Sequence, residues 1–314
     1  MRHFLAASVL LLGTTTASAQ DVLVQGARVF DGVTMLGVRD VLVTEGRIAR
    51  VDRNITPPAG VTIVDGSGKT LLPGLIDAHT HTFQDVLRQA LAFGVTTQLE
   101  MFTDPRMANM WRQEQRQNRA SDRADIFSSG VLVTAKGGHG TQFGVPVPTI
   151  GSPDSAQSFV DARIAEGSDY IKIVYDDGSA YALKRPTLDK ATLKAIVAAA
   201  HARNKLAVVH VHSGTSARDA VEVGADGLVH VHADRDEAVD AEFVRLAVAN
   251  KAFVIPTLSV NQSVTGVAGG VDVLNDPRVN PLLSRNDLLQ LNQAFPTRPG
   301  ARARYVYAES LVTR

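Results

Sequence analysis

The residues of this 314-residue chain best suited to chemistry are histidines spaced two apart at the ends of apolar runs. In an extended strand, residues i and i+2 face the same side. Asp77, His79 and His81 are therefore expected to project together, and two imidazoles so placed can grip one metal ion. The His-x-His pattern returns at His210 and His212, and again twenty residues later at His230 and His232. A lone strand histidine is more often packed or surface-exposed, but six at three strand ends are hard to attribute to packing. His201, beside Arg203 in a helical stretch, reads as solvated. With no cysteine in the chain, any metal must be held by nitrogen and oxygen donors.

Lys172 is the second unusual residue, because Tyr170-Ile171-Lys172-Ile173-Val174 places an ammonium inside an apolar strand. Buried lysine is rare without a partner. A bare cation at a metal-binding mouth would be repelled, whereas a lysine carbamylated by carbon dioxide is an anionic ligand able to bridge two metal ions. The plain alternative is a lysine paired with Asp176 or Asp177 at the strand end.

These residues need a scaffold that brings strand ends together. The texture changes across Thr70 to Asp77, and over residues 71–314 apolar strands alternate with helical stretches, the pattern of βα units and a parallel sheet. Seven parallel strands are expected: Leu75 to His81, Gly94 to Phe102, Ile126 to Thr134, Tyr170 to Asp176, Leu206 to His212, Gly227 to His232 and Phe253 to Val260. One helix is expected to open with Thr187 as its N-cap and close at Asn204, and another to run from Ser216 to Val223. A dinucleotide-binding fold is disfavoured, since no G-x-G-x-x-G follows the first strand and Gly137-Gly138-His139-Gly140 has the wrong spacing. The architecture that fits is a TIM-type barrel, whose active sites lie at the C-terminal strand ends.

Ahead of it, residues 20–70 alternate apolar and polar residues between turn signals at Asp31-Gly32, Glu45-Gly46 and Asp65-Gly66, which predicts a small antiparallel β domain. Met1-Arg2-His3, the apolar run Phe4 to Gly13 and Ala17-Ser18-Ala19 have the form of a secretory signal peptide, residues 1–19, implying a periplasmic or secreted protein. The apolar run is short for a membrane span. With 32 basic and 32 acidic residues, 45% hydrophobic residues and no basic run, the composition gives no support to nucleic-acid binding or to membrane attachment after signal cleavage. A small-molecule partner is favoured, and a homo-oligomer stays open.

Leu71-Leu72-Pro73-Gly74-Leu75-Ile76-Asp77-Ala78-His79-Thr80-His81, the strand Tyr170-Ile171-Lys172-Ile173, and His210 followed by His230 together resemble the amidohydrolase superfamily, specifically its prolidase-like and imidazolonepropionase-like branch. The resemblance covers residues 22–314. It implies an α/β (β/α)8 TIM-type barrel behind a small N-terminal β-sandwich, and hydrolysis of C–N bonds in small amides, dipeptides or cyclic amides. It also implies two divalent ions, expected to be zinc. His79 and His81 would bind one ion, His210 and His230 the other, and carbamylated Lys172 would bridge them. A metal-activated water attacking an amide needs donors for the resulting oxyanion. His139, in its glycine-rich loop, and His212 are the candidates. His232 has no role in the resemblance.

One departure matters. Members of the family carry an eighth strand ending in an aspartate that shuttles a proton, and after Phe253-Val254-Ile255-Pro256-Thr257-Leu258 no such strand is recognisable. The seventh strand leads instead into a glycine-rich loop and a helix-like tail from Ala301 to Arg314. The eighth βα unit is thus expected to be missing and the sequence to be a fragment, Asp234 and Asp236 being poor substitutes. The competing function is a non-catalytic, metal- or ligand-binding periplasmic remnant. A retained fold with isomerase or decarboxylase chemistry is a third reading. Tyr175, Tyr181 and Arg185, around the loop after the fourth strand, are candidates for substrate contact, with exposed loop packing the plainer reading.

Overall fold

The computed structural model describes residues 20–313 apart from 118, 120, 121, 145, 182, 235, 236, 264, 266–269 and 293–298. The expected signal peptide and Asp236 lie outside the described residues. The chain divides into two compact units, the second beginning at Leu75.

The first unit is one five-stranded sheet: β1 (Val22–Phe30), β2 (Met35–Thr44), β3 (Arg47–Asp52), β4 (Thr62–Asp65) and β5 (Thr70–Leu71), in the order β3-β2-β1-β4 with β5 also on β1. Alternation buries Leu23, Ala27, Val29 and Val41. The β2–β3 turn holds Glu45 and Gly46 at φ of 51° and 73°. Positive φ at both central residues matches the right-handed strand twist, and glycine takes it without strain. The expectation of a purely antiparallel domain is corrected, because β4 and β5 run parallel to β1. The expected sandwich is likewise a single sheet among the described residues. Buried Asp40 explains part of the geometry: its carboxylate accepts from Gly26 N, where β1 bulges, and from Ile55 N, both at 2.9 Å.

The second unit alternates strand and helix. Its strands are β6 (Leu75–Thr80), β7 (Val95–Glu100), β8 (Asp125–Ser128), β9 (Ile171–Val174), β10 (Ala207–His210), β11 (Gly227–Val229) and β12 (Phe253–Ile255). The helices up to β12 are α1 (Val86–Ala92), α2 (Pro105–Arg116), α3 (Ala156–Ala165), α4 (Lys190–His201), α5 (Gly214–Glu222) and α6 (Glu237–Asn250). After β12 come α7 (Leu258–Ser263), α8 (Val271–Asn275), α9 (Arg285–Leu291) and α10 (Ala301–Thr313). All strand pairs are parallel and in chain order. β6-β7-β8 and β9-β10-β11-β12 form two ladders, linked by the parallel bridge of Val133 to Ile173. The expected barrel is therefore met as seven parallel strands, and no closed barrel is seen among the described residues.

Every expected strand is present but shorter, since ladder pairing stops where the chain must diverge to build loops. Side-chain alternation then sorts the strands. Ile171, Ile173, Val209 and Leu228 pack with Leu193, Ile196 and Val197 of α4 on the helix side. Val208 and Val229 face the other side with Met101 and Tyr170. Register pairs Lys172 with Val208, and His210 with both Val174 and Val229. Lys172 and His210 thus sit on the non-helical face near the strand ends.

The helix caps correct one expectation. Asp189, not Thr187, caps α4, accepting from Thr192 N at 2.7 Å, while Thr187 Oγ1 accepts from Asp176 N at 3.0 Å. An aspartate one turn ahead of the first buried helical residue satisfies an otherwise unpaired N–H. Asn204 closes the helical stretch at φ 54°. Replacing Asp189 by Ala is expected to lower stability by about 1 kcal/mol, read as a shift in the urea midpoint at unchanged slope.

Candidate metal centre

The C-terminal ends of β6, β9, β10 and β11 open on a cavity of about 610 Å³. It brings together all seven residues singled out for chemistry: His79, His81, His139, Lys172, His210, His212 and His230. Met101, Leu132 and Phe143 supply apolar wall.

At the end of β6, His79 Nε2 and His81 Nε2 stand 3.4 Å apart. Two nitrogens about 2.0–2.1 Å from one tetrahedral ion would be separated by about 3.4 Å. His79 Nδ1 is buried and without a hydrogen-bond partner, and so is His210 Nε2. An unpartnered buried nitrogen such as His210 Nε2, in a cysteine-free cluster, suits a cation bound through imidazole. Asp77, expected to share their direction, is exposed and bonds His79 N instead.

Beside them, the His79 ring lying 5.0 Å from that of His230, His210, His212 and His230 each offer a ligand atom within 4.8 Å of the others. His212 Nδ1 lies 2.9 Å from Asp176 Oδ2, and His230 Nδ1 lies 2.5 Å from Thr257 Oγ1. His210 Nε2 is 3.4 Å from the same Asp176 oxygen, too poorly placed for a hydrogen bond. His230 adopts φ 70°, which breaks the strand alternation after Val229. His232 therefore does not enter the cavity. It is buried against Phe243, and its Nε2 lies 2.7 Å from Asp240.

Lys172 is 3% exposed and, among the described residues, has no ion pair or hydrogen bond at its amine. The alternative pairing is corrected: Asp176 serves the histidines. Burial draws the Lys172 amine down to about 7, the Glu100 carboxyl pulling weakly the other way. Burial likewise lowers His79, His81, His210 and His230, and Lys172 or neighbouring imidazoles push further the same way. The cluster thus favours neutral bases with free lone pairs, which is what a cation binds.

Two features were missed in the sequence. Glu100, at the end of β7, is fully buried, and burial raises its carboxyl to about 8 against hydrogen bonds from Ser128 Oγ and Phe102 N, each 2.5 Å long. An acid inside an apolar strand carries the same signal as Lys172 and could have been found by it. Asp176 was visible only as a partner for the lysine.

His139 is held by its loop. Gly140 N donates to Gln142 Oε1 at 2.8 Å, which fixes the amide so that Gln142 Nε2 donates to His139 Nδ1 at 3.2 Å. The N–H of neutral His139 is then on Nε2. Burial lowers its pKa to about 4, so it is neutral at pH 7. The loop glycines answer to packing: a Cβ on Gly140 would sit 2.7 Å from Leu132 at φ +102°. Tyr181 and Arg185 line the cavity, whereas Tyr175 bonds Asp219. Asp234 accepts from Gly214 N and is not in the cavity wall. His201 bonds Asp226 on the surface.

No family model matches the chain. Curated relatives match short segments. A 5'-deoxyadenosine deaminase from Methanothermobacter thermautotrophicus is 35% identical over 71 residues, 22% of this chain and 16% of its own length. A dihydroorotase from Pelobacter propionicus is 42% identical over 62 residues, 19% of this chain and 15% of its own length. These matches thus span less than a fifth of the relatives' length. Solved structures match almost throughout. An amidohydrolase has a TM-score of 0.68 at 19% identity, covering 94% of this chain and 76% of its own. A Xaa-Pro dipeptidase with bound methionine has 0.65 at 19%, covering 93% and 84%. The fold is that of these enzymes.

Because the folded pKa of Lys172 lies below its unfolded value, the unfolded chain holds the extra proton between about pH 7 and 10.5. Its contribution to stability therefore rises with pH across that window. Raised Glu100 acts oppositely, its stabilising contribution fading as pH climbs from 4.5 to about 8. Metal-free protein should accordingly gain up to about 1.4 kcal/mol per pH unit between about pH 8 and 10, and Lys172→Met should remove that gain in urea titrations.

Proposed function

From a chain with the fold and the opening segment of the amidohydrolase superfamily, we propose a metal-dependent hydrolase of C–N bonds in small amides, dipeptides or cyclic amides. The observation that carries this reading is a buried lysine, without an ion pair or hydrogen bond among the described residues, in one cavity with six histidines. Zinc is the expected metal, held by His79 and His81 on one side and by His210 and His230 on the other. A neutral Lys172 amine can add to carbon dioxide, forming an N–C bond and releasing a proton, and the resulting carbamate would bridge the two positions. Two bound divalent ions would supply a water of lowered pKa and polarise the substrate carbonyl.

The chain's own residues supply the rest. His139, neutral and with its hydrogen on Nε2, can donate to the oxyanion that develops as the carbonyl is attacked. Its Gln142 bond keeps that tautomer. Arg185 in the cavity wall offers a cation to a substrate carboxylate, which favours dipeptides and N-acylated amino acids. Met101, Leu132 and Phe143 exclude water and strengthen the polar contacts. The short curated matches and the prolidase-type structural neighbours support this class of reaction. A periplasmic or secreted location belongs to the same proposal.

One observation favours the second reading, a non-catalytic metal- or ligand-binding protein. Among the described residues, Asp176 is the only carboxylate lining the cavity, and it is committed to His212.

Zinc-loaded protein assayed against dipeptides, N-acylated amino acids and cyclic amides is expected to turn over one of these classes, with His139→Ala lowering kcat by about 10²–10³ at unchanged metal content. Metal binding without turnover of any of them would favour the second reading. Lys172→Ala should lower bound metal and abolish hydrolysis, and unchanged metal content would remove Lys172 from the site.

A further inference from the structure

The two candidate oxyanion donors differ in one respect that separates their chemistry. His139 receives a hydrogen bond on Nδ1 and so carries its hydrogen on Nε2. His212 does the reverse. The Asp176 carboxylate can only accept, so His212 Nδ1 donates, and the neutral ring is left with a lone pair on Nε2. In that form the nitrogen can bind a cation and does not donate to an oxyanion. We infer that His212 is a third ligand, completing with His210 and His230 a three-imidazole metal site that does not require Lys172.

Four further observations agree. The ring centroids of the three histidines form a near-equilateral triangle with sides of 4.6, 4.5 and 4.7 Å. Their ligand atoms all lie within 4.8 Å of one another, a grouping His79 and His81 do not join. The outer contacts have the form that orients metal-binding imidazoles, with a carboxylate on His212 Nδ1 and the Thr257 hydroxyl on His230 Nδ1. His210 Nε2 is buried with no partner. Asp176 is thus a positioning residue acting through His212. The inference rests on the reading of the cavity as a divalent-metal centre and deepens it: one ion is held by imidazoles alone, and the other depends on the lysine.

The test is a Co²⁺ titration of the chelator-stripped full chain, read as ions bound per chain and as the visible absorption of the bound ion. Wild type is expected to bind two ions and Lys172→Ala one. Adding His212→Asn to Lys172→Ala should abolish binding or weaken it at least about 100-fold, and Asp176→Asn should weaken it about 10- to 100-fold. Circular dichroism checks that each variant is folded. Should the double variant fail to fold, histidine ¹⁵N spectra of Lys172→Ala with and without Zn²⁺ report His212 directly, a shift of Nε2 being expected. An unmoved Nε2, or a double variant that retains the ion with an unchanged spectrum, overturns the inference. Loss of both ions in Lys172→Ala overturns the lysine-independent site while leaving the hydrolase reading intact. A wild-type chain that binds no ion overturns both.

Discussion

The site is organised by the cost of taking nitrogen bases out of water. Lys172, His79, His139, His210 and His230 are enclosed together in one cavity, and burial is the largest influence on each. A charged ammonium or imidazolium there lacks the solvation that would stabilise it. Neutral bases persist, and their lone pairs seek either a hydrogen or a cation. The hydrogen bonds around the cluster place the hydrogens: Gln142 leaves that of neutral His139 on Nε2, Asp176 takes that of His212 on Nδ1, and the Thr257 hydroxyl meets His230 Nδ1. Small polar contacts at the periphery thus set the chemistry of the centre.

The scaffold serves this arrangement through alternation and register. Parallel strands in chain order present one face to the helices, where Ile171, Ile173 and Val209 are buried, and the other to the cavity. Aligning Lys172 with Val208, and His210 with Val229, puts the lysine one step below the histidines. Beyond the last ladder pair the backbone is released from alternation. That release explains why His212 stays with the cluster while His232, after the φ of 70° at His230, turns away to Asp240.

Much of this was legible in the sequence. Seven strands were marked by apolar runs, and the residues that meet in the cavity by spacing and by an ammonium in an apolar context. Strand lengths were overestimated because apolar residues continue past the last hydrogen-bonded pair into loops that line the cavity. The cap of α4 was misplaced by two residues because Thr187 and Asp189 are both competent N-caps, and only the path of the preceding loop selects between them. The first sheet was read as antiparallel because alternation reports which side a residue faces, not which way its neighbour runs.

Residue type and spacing by themselves determined that this chain builds βα units, that any metal it holds is bound by nitrogen and oxygen, that His79, His81, His210 and His230 stand at strand ends, and that Lys172 lies inside an apolar strand. Periodicity is a local property, so it survives without knowledge of the fold. Only the tertiary structure decided that Asp176 serves His212 and not Lys172, that Glu100 is buried near that lysine, and that His232 lies outside the cavity. Those outcomes depend on distances between atoms far apart in the chain, and on backbone turns such as that at His230, which no local pattern encodes.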